Sequence, residues 1–199
     1  MPLLRTPISL VLASLLWHGA VIAAEPLRAV PDTLAQRVMA CTGCHGPEGR
    51  ATNDGFYPRI AGKPADYLYH QLLNFRDGRR NNDGMRYLLD HLSDDYLRTI
   101  ALHFASLDLP YPPPPASTAA PAELARGQAL VLHGDAQRKL PACVACHGAE
   151  GRASAEGYYP RIAGKPEGYL YNQLIAFREG SRQHAAMNGI VQHLSNDYL

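Results

Sequence analysis

The chain has almost no net charge and almost no lysine. Nineteen basic residues face 18 acidic ones over 199 positions, for a formal charge of +1, and only three of the basic residues are lysines. The arginines are spread along the chain without a block, which leaves no electrostatic footprint for nucleic acid and no strong steering toward a charged partner. Strand patterning is missing as well, because no stretch alternates apolar and polar residues convincingly. Beyond the N-terminus no apolar run is long enough to span a bilayer, and cysteine is limited to four residues. What remains is 46% hydrophobic and 19% charged. That is globular composition, which excludes a disordered or collagen-like chain and fits one domain or two small ones.

The first residues read as a targeting segment. Arg5 supplies a short positive region, Ile8 to Trp17 an apolar region, and Val21 to Ala24 a run ending in small residues suited to signal peptidase. Residues 1–24 are therefore expected to be a signal peptide, cleaved after Ala24 to leave 175 residues with 18 basic and 18 acidic side chains. An uncleaved signal anchor is the alternative, since only His18 and Gly19 interrupt the apolar stretch. Either way the remainder is exported.

The rest is organised by a duplication. Residues 41–97 align with 143–199 at a constant offset of 102 without a gap, and 33 of the 57 positions are identical. The longest shared run is Tyr57 to Pro64, repeated as Tyr159 to Pro166. Between the copies, residues 110–121 are so rich in proline that they favour an extended, semi-rigid linker over helix or strand. The expected division is a first domain over 25–109, the linker over 110–121 and a second domain over 122–199.

Helical signals dominate each copy. Pro64 can open a helix whose face is Tyr67, Leu68, Gln71, Leu72 and Phe75 and whose end Gly78 can cap. Ser93 can cap a second helix with Asp94 and Asp95 in its first turn and Leu97, Ile100, Ala101 and Phe104 as its apolar stripe. Asp32 to Ala40 and Glu123 to His133 are expected to be helices leading into the cysteine motifs. Leu199 is the counterpart of Leu97, so nothing corresponds to residues 98–109. The second domain is therefore expected to be truncated at its C-terminus.

All four cysteines lie in two identical frames, Cys41-Thr42-Gly43-Cys44-His45 and Cys143-Val144-Ala145-Cys146-His147. This C-x-x-C-H spacing is the signature for attachment of c-type haem, and about 0.004 chance matches are expected at these residue frequencies. On one turn of helix the two thiols reach the two vinyl groups of a haem, and the adjacent histidine faces the iron. Covalently held haem also supplies the apolar bulk that a domain of this size lacks. Three other chemistries compete. A structural zinc site would need four neighbouring ligands, whereas each copy offers Cys, Cys and His. A thioredoxin-like pair would need a strand-and-helix setting and has no use for the histidine. A disulfide within either motif would close a very small loop and stabilise little.

The sixth iron ligand can be sought through the repeat. Met85 and Met187 are equivalent, each 40 residues after its motif histidine, and a thioether there would give a His/Met iron suited to electron transfer. The alternative is that a methionine fills core space. Asn81-Asn82-Asp83-Gly84 before Met85 and Arg182-Gln183-His184 before Met187 read as polar loops, a poor place for filler. His91 and His193 are also equivalent and are the rival distal ligands, although they precede helix caps. Met39 fails because its counterpart is Pro141.

The duplicated motifs, the Pro-Arg-Ile-Ala-Gly-Lys segments, the Phe-Arg-x-Gly-x-Arg runs before each methionine and the Pro-rich linker resemble the dihaem cytochrome c4 family of bacterial class I cytochromes c. The resemblance implies an all-α fold of two tandem cytochrome c domains carrying two covalently attached haem c groups. It implies cofactor-binding cysteines at Cys41, Cys44, Cys143 and Cys146, proximal ligands at His45 and His147, and distal ligands at Met85 and Met187. It also implies that the carbonyls of Pro58 and Pro160 receive the imidazole N–H groups; without it these prolines read as turn residues. Arg76, Arg80, Arg178 and Arg182 are candidates for haem propionates, for contacts between the domains or for solvated helix ends.

The function so implied is that of a periplasmic single-electron carrier rather than an enzyme. Its donor would be a quinol-oxidising complex or a periplasmic dehydrogenase, and its acceptor a terminal oxidase or reductase, with no nucleic-acid partner and with peripheral membrane association left open. Two rivals stand beside it: an electron-transfer subunit of a dehydrogenase, such as the dihaem partner of a flavocytochrome c sulfide dehydrogenase, and a catalytic haem protein with one open iron. Against catalysis, both copies offer the same His and Met.

Overall fold

The structure is a computed structural model that describes residues 32–52, 55–113, 116–153 and 158–198. The expected signal segment lies outside the described residues. Within them the chain is helical, with two isolated β-bridges and no longer strand.

In the first copy, α1 (Leu34–Arg37) and α2 (Met39–His45) are separated by a break at Val38. The single helix expected over 32–40 is thus two pieces, and the Val38 side chain at the break is buried in the core. The main body is α3 (Ala65–Arg76) packed on α5 (Asp94–Ala105). Their boundaries follow the local signals. Asp66 lies in the first turn of α3 and Gly78 at φ 75° reverses the chain beyond its end, a conformation cheap only without a Cβ. Ser93 accepts a hydrogen bond from the Tyr96 N–H at the start of α5. Leu68, Tyr69 and Phe75 meet Leu97, Ile100, Ala101 and Phe104, with Val38 and Leu89 closing the cluster.

Between these helices lies a short one that the polar sequence concealed. α4 (Asp83–Leu89) begins where the Asn82 side chain accepts from the Met85 N–H at 3.0 Å. The expected polar loop is therefore an N-cap, and Met85 sits in the first turn of a helix.

The second copy repeats these elements. α6 (Pro121–His133) starts two residues earlier than expected, because Pro121 needs no N–H acceptor and Glu123 accepts from the Ala120 N–H. α7 (Val144–His147), α8 (Glu167–Arg178) and α9 (Ala185–Val191) follow. α9 is capped by the His184 ring in place of the Asn82 amide. Its described residues end in a 3₁₀ turn over Asn196–Tyr198, where the Tyr198 hydroxyl accepts from Arg138. Tyr171 is 40% exposed, whereas its counterpart Tyr69, beneath the Arg98 guanidinium of α5, is 9% exposed.

Leu97 is fully buried between α3 and α5, so Leu97→Ala is expected to lower the unfolding free energy by about 2–5 kcal/mol. Tyr87→Ala, at a site 84% exposed, should change it by less than about 0.5 kcal/mol. Urea unfolding followed by far-ultraviolet circular dichroism measures both.

Candidate functional site

Each motif histidine ends a short helix and is turned by the same device. His45 Nδ1 lies 2.7 Å from the Pro58 carbonyl, and His147 Nδ1 lies 2.9 Å from the Pro160 carbonyl. A carbonyl only accepts, so both rings carry a proton on Nδ1, and Nε2 is the nitrogen left for a metal. Burial, opposed by that hydrogen bond and reinforced by the nearby charge of Arg80, pushes the His45 pKa down. The ring is therefore neutral at pH 7, the form that binds a metal.

The chain then turns sharply. Gly46 adopts φ 76°, and a Cβ there would collide with the Ala51 carbonyl. The turn lets the Ala51 N–H donate to the His45 carbonyl at 2.7 Å, and Ala153 does the same to His147 at 2.8 Å. Ala51 and Ala153 take the costly positive φ values of 84° and 96° to make this bond. The Gly49 carbonyl next accepts from both Ile60 and Ala61, as the Gly151 carbonyl does from Ile162 and Ala163. Each motif is thus tied to the loop that orients its imidazole.

The thiols are free and differ within each motif. Cys41 and Cys143 are half-buried while Cys44 and Cys146 are exposed. Burial raises the pKa of Cys41 and of Cys143, keeping them as thiols at neutral pH. Met85 is half-buried against the first core, and Met187 is half-buried at the equivalent place in α9. The rival ligands His91 and His193 are exposed in the turns after α4 and α9. Paired thiols beside an imidazole whose Nδ1 is already bonded, leaving Nε2 for iron, are the donor set that c-type haem requires, so the residues present fit that group in both copies.

The two copies meet about an approximate two-fold axis. The backbones of Arg80 and Arg182 form an antiparallel bridge, with the Asn81 N–H donating to the Ser181 carbonyl at 2.8 Å and the Gln183 N–H to the Arg79 carbonyl at 2.7 Å. Arg80 donates to Gln71 in its own copy and to Gln173 and Tyr169 in the other. Arg182 donates to Gln173 in its own copy and to Gln71 and Tyr67 in the other. This exchange is that of an isologous interface built within one chain. Each guanidinium also stacks 4.4 Å from a ring of its own copy, Phe75 or Phe177. Arg76 is instead held by Asp77 and Asp94, and Arg178 donates to the Leu194 carbonyl. Of the four candidate arginines, Arg80 and Arg182 meet across the domains.

Lysine joins them. Lys63 is 4% exposed, and no described oxygen accepts from its Nζ, which has the Lys165 side chain as its neighbour. Burial and the charge of Lys165 push Lys63 down to about 6, and burial, chiefly, pushes Lys165 down to about 8. Burial alone would raise the Tyr67 phenol, but Arg182, Arg80 and Lys63 pull its pKa below the ordinary value.

Sequence reasoning did not single out the lysines or Tyr111. The Tyr111 ring lies between two guanidinium groups, 4.1 Å from Arg59 and 4.0 Å from Arg161. Arg59 also donates to the carbonyls of Leu109 and Pro110. A lone aromatic between prolines was the only available signal. Tyr111→Ala removes both stacking contacts, each worth about 0.5–2 kcal/mol, and is expected to speed cleavage between residues 110 and 121 several-fold in limited proteolysis.

Comparison with known proteins gives the same picture. The cytochrome c family pattern matches residues 33–97. The chain is 36% identical over 143 residues to the thiosulfate dehydrogenase electron acceptor of Thiomonas intermedia, covering 72% of this chain and 64% of that one, somewhat less than two thirds of its length. It is 33% identical over 159 residues to cytochrome c4 of Pseudomonas aeruginosa, covering 80% of this chain and 76% of that protein. Its structure is similar to that of reduced cytochrome c4 from Pseudomonas stutzeri, with a TM-score of 0.70, 30% identity, and coverage of 81% and 89% of the two chains.

Proposed function

This chain belongs to the cytochrome c4 family, and from that premise we propose that it is a periplasmic single-electron carrier with His/Met ligation at both of its haems. Two haem c groups are covalently attached, at Cys41 and Cys44 and at Cys143 and Cys146. The observation that carries the reading is the duplicated imidazole whose Nδ1–H is held by a proline carbonyl beside a pair of free thiols.

In this reading His45 and His147 present Nε2 to iron, and Met85 and Met187 present their thioethers from the first turns of α4 and α9. When bound, the haem supplies reversible one-electron chemistry at iron. The protein's part is to keep that centre closed and rigid. The proline carbonyls fix each ring and raise its basicity, and the capped helices hold the thioethers. An iron held by both of these side chains would leave no place for substrate, so the chain would pass electrons without bond chemistry.

The partners follow from the same chemistry. With a formal charge of +1 the chain has no strong electrostatic bias, and docking depends on local surface. A quinol-oxidising complex or a periplasmic dehydrogenase is the donor, and a terminal oxidase or reductase the acceptor. The Thiomonas relative named as an acceptor for thiosulfate dehydrogenase favours a dehydrogenase donor, and makes service to one particular dehydrogenase the second reading.

Met85→Ala and Met187→Ala test the ligand set. Each is expected to lower the midpoint potential of one haem and leave the other nearly unchanged, as read by optical redox titration. Unaltered potentials in both variants would remove the methionines from the ligand set.

A further inference from the structure

The two methionine turns are not held alike. In the first copy the Asn82 side chain accepts from the Met85 N–H at 3.0 Å, an ordinary N-cap bond. In the second copy the His184 ring takes that place, and its Nδ1 lies 3.4 Å from the Met187 nitrogen, longer than the usual hydrogen bond. α9 is also the weaker helix by composition, since it carries Gly189 where α4 carries Tyr87, and glycine is the poorer helix former.

Another side chain makes up the difference. Asn188 stands one residue beyond Met187. Its Oδ1 accepts from the His184 N–H at 2.6 Å, and its Nδ2 donates to the Phe177 carbonyl and, at 3.1 Å, to the Arg182 carbonyl. These groups belong to separate pieces of the fold: Phe177 to the last turn of α8, Arg182 to the bridge between the copies, and His184 to the start of α9. Asparagine is a poor helix former because its amide competes for backbone groups, and at this position that competition fastens the turn. The counterpart in the first copy is Arg86, which is exposed. A guanidinium has no acceptor, so it cannot receive the Asn82 N–H as Asn188 receives that of His184.

We propose that Asn188 is the positioning residue for Met187: its amide, more than the cap of α9, holds the second thioether where it can reach iron, whereas Asn82 does this for Met85. The inference rests on the His/Met reading above. Asn188 touches no reacting atom and acts through the backbone on either side of its neighbour. Two centres with the same ligands thus differ in what keeps the sixth one in place. The bond to the Arg182 carbonyl also ties the second thioether to the turn that joins the copies.

The test is competition for the sixth position in the full, two-haem chain. Free imidazole is titrated into the oxidised protein at neutral pH, and binding is followed by loss of the thioether-to-iron charge-transfer absorption. Asn188→Ala is expected to raise the imidazole affinity of one haem about tenfold, equivalent to losing about 1.4 kcal/mol of hydrogen bonding, and to leave the other haem as in the wild type. Asn188→Asp keeps the size of the side chain but sets a carboxylate oxygen against the two carbonyls, and should weaken the site at least as much. Arg86→Ala should leave both haems unchanged. Adding His184→Asn to Asn188→Ala supplies the cap of the first copy and should restore most of the wild-type value.

Unchanged imidazole binding in both Asn188 variants, or equal weakening at both haems, would overturn the proposal. A side chain that merely braced the fold would lower the urea midpoint and leave the imidazole titration alone. Met187→Ala separates this outcome from failure of the ligand reading. With thioether ligation, that variant gains one haem of high imidazole affinity, and a further Asn188→Ala change adds nothing to it. If Met187→Ala binds imidazole no better than the wild type, the His/Met reading itself falls.

Discussion

The hydrogen bond from each imidazole Nδ1 to a proline carbonyl is the constraint on which the other features hang. It fixes the tautomer that leaves Nε2 free, and it fastens the motif helix to one short loop. That loop does several jobs in sequence. Pro58 orients the ring, Arg59 grips the linker carbonyls, Ile60 and Ala61 bind the Gly49 carbonyl, Gly62 donates to the Phe104 carbonyl at the end of α5, and Lys63 enters the interface. Every residue from Tyr57 to Pro64 recurs in the second copy. The long identical run is what remains when nearly every position in a segment carries a separate contact.

The same loop explains how the two centres are related. Because each runs from an imidazole to the two-fold interface, a change at the interface reaches both motifs through a few peptide units. Arg80 stands at both places: it donates across the interface to Tyr169 and Gln173, and its charge adds to the burial that lowers the pKa of His45. Tyr111, stacked between Arg59 and Arg161, closes the circuit at the linker. The duplication thus supplies an interface as well as a second centre.

Much of this was legible in the sequence where signals are local. α5 starts at its serine cap and buries the expected Leu97, Ile100, Ala101 and Phe104, because a cap and an apolar stripe act within one element. The motifs and the all-α character were legible for the same reason. α4 was not, since Asn81 to Gly84 look like loop until the Asn82 side chain is seen capping Met85. The roles of Arg80 and Arg182 could not be separated from those of Arg76 and Arg178, because their partners lie about a hundred residues away. Lys63, read only as part of a shared run, acquires meaning from burial, which no local pattern reports.

The central claim is that both irons are closed by strong ligands in a protein that only carries electrons. A carbon monoxide difference spectrum of the dithionite-reduced, haem-loaded protein at neutral pH tests it most directly. Neither haem is expected to bind the gas. Ready binding at one haem of the folded protein would mean an open iron, and would replace the carrier by a catalytic or gas-binding centre.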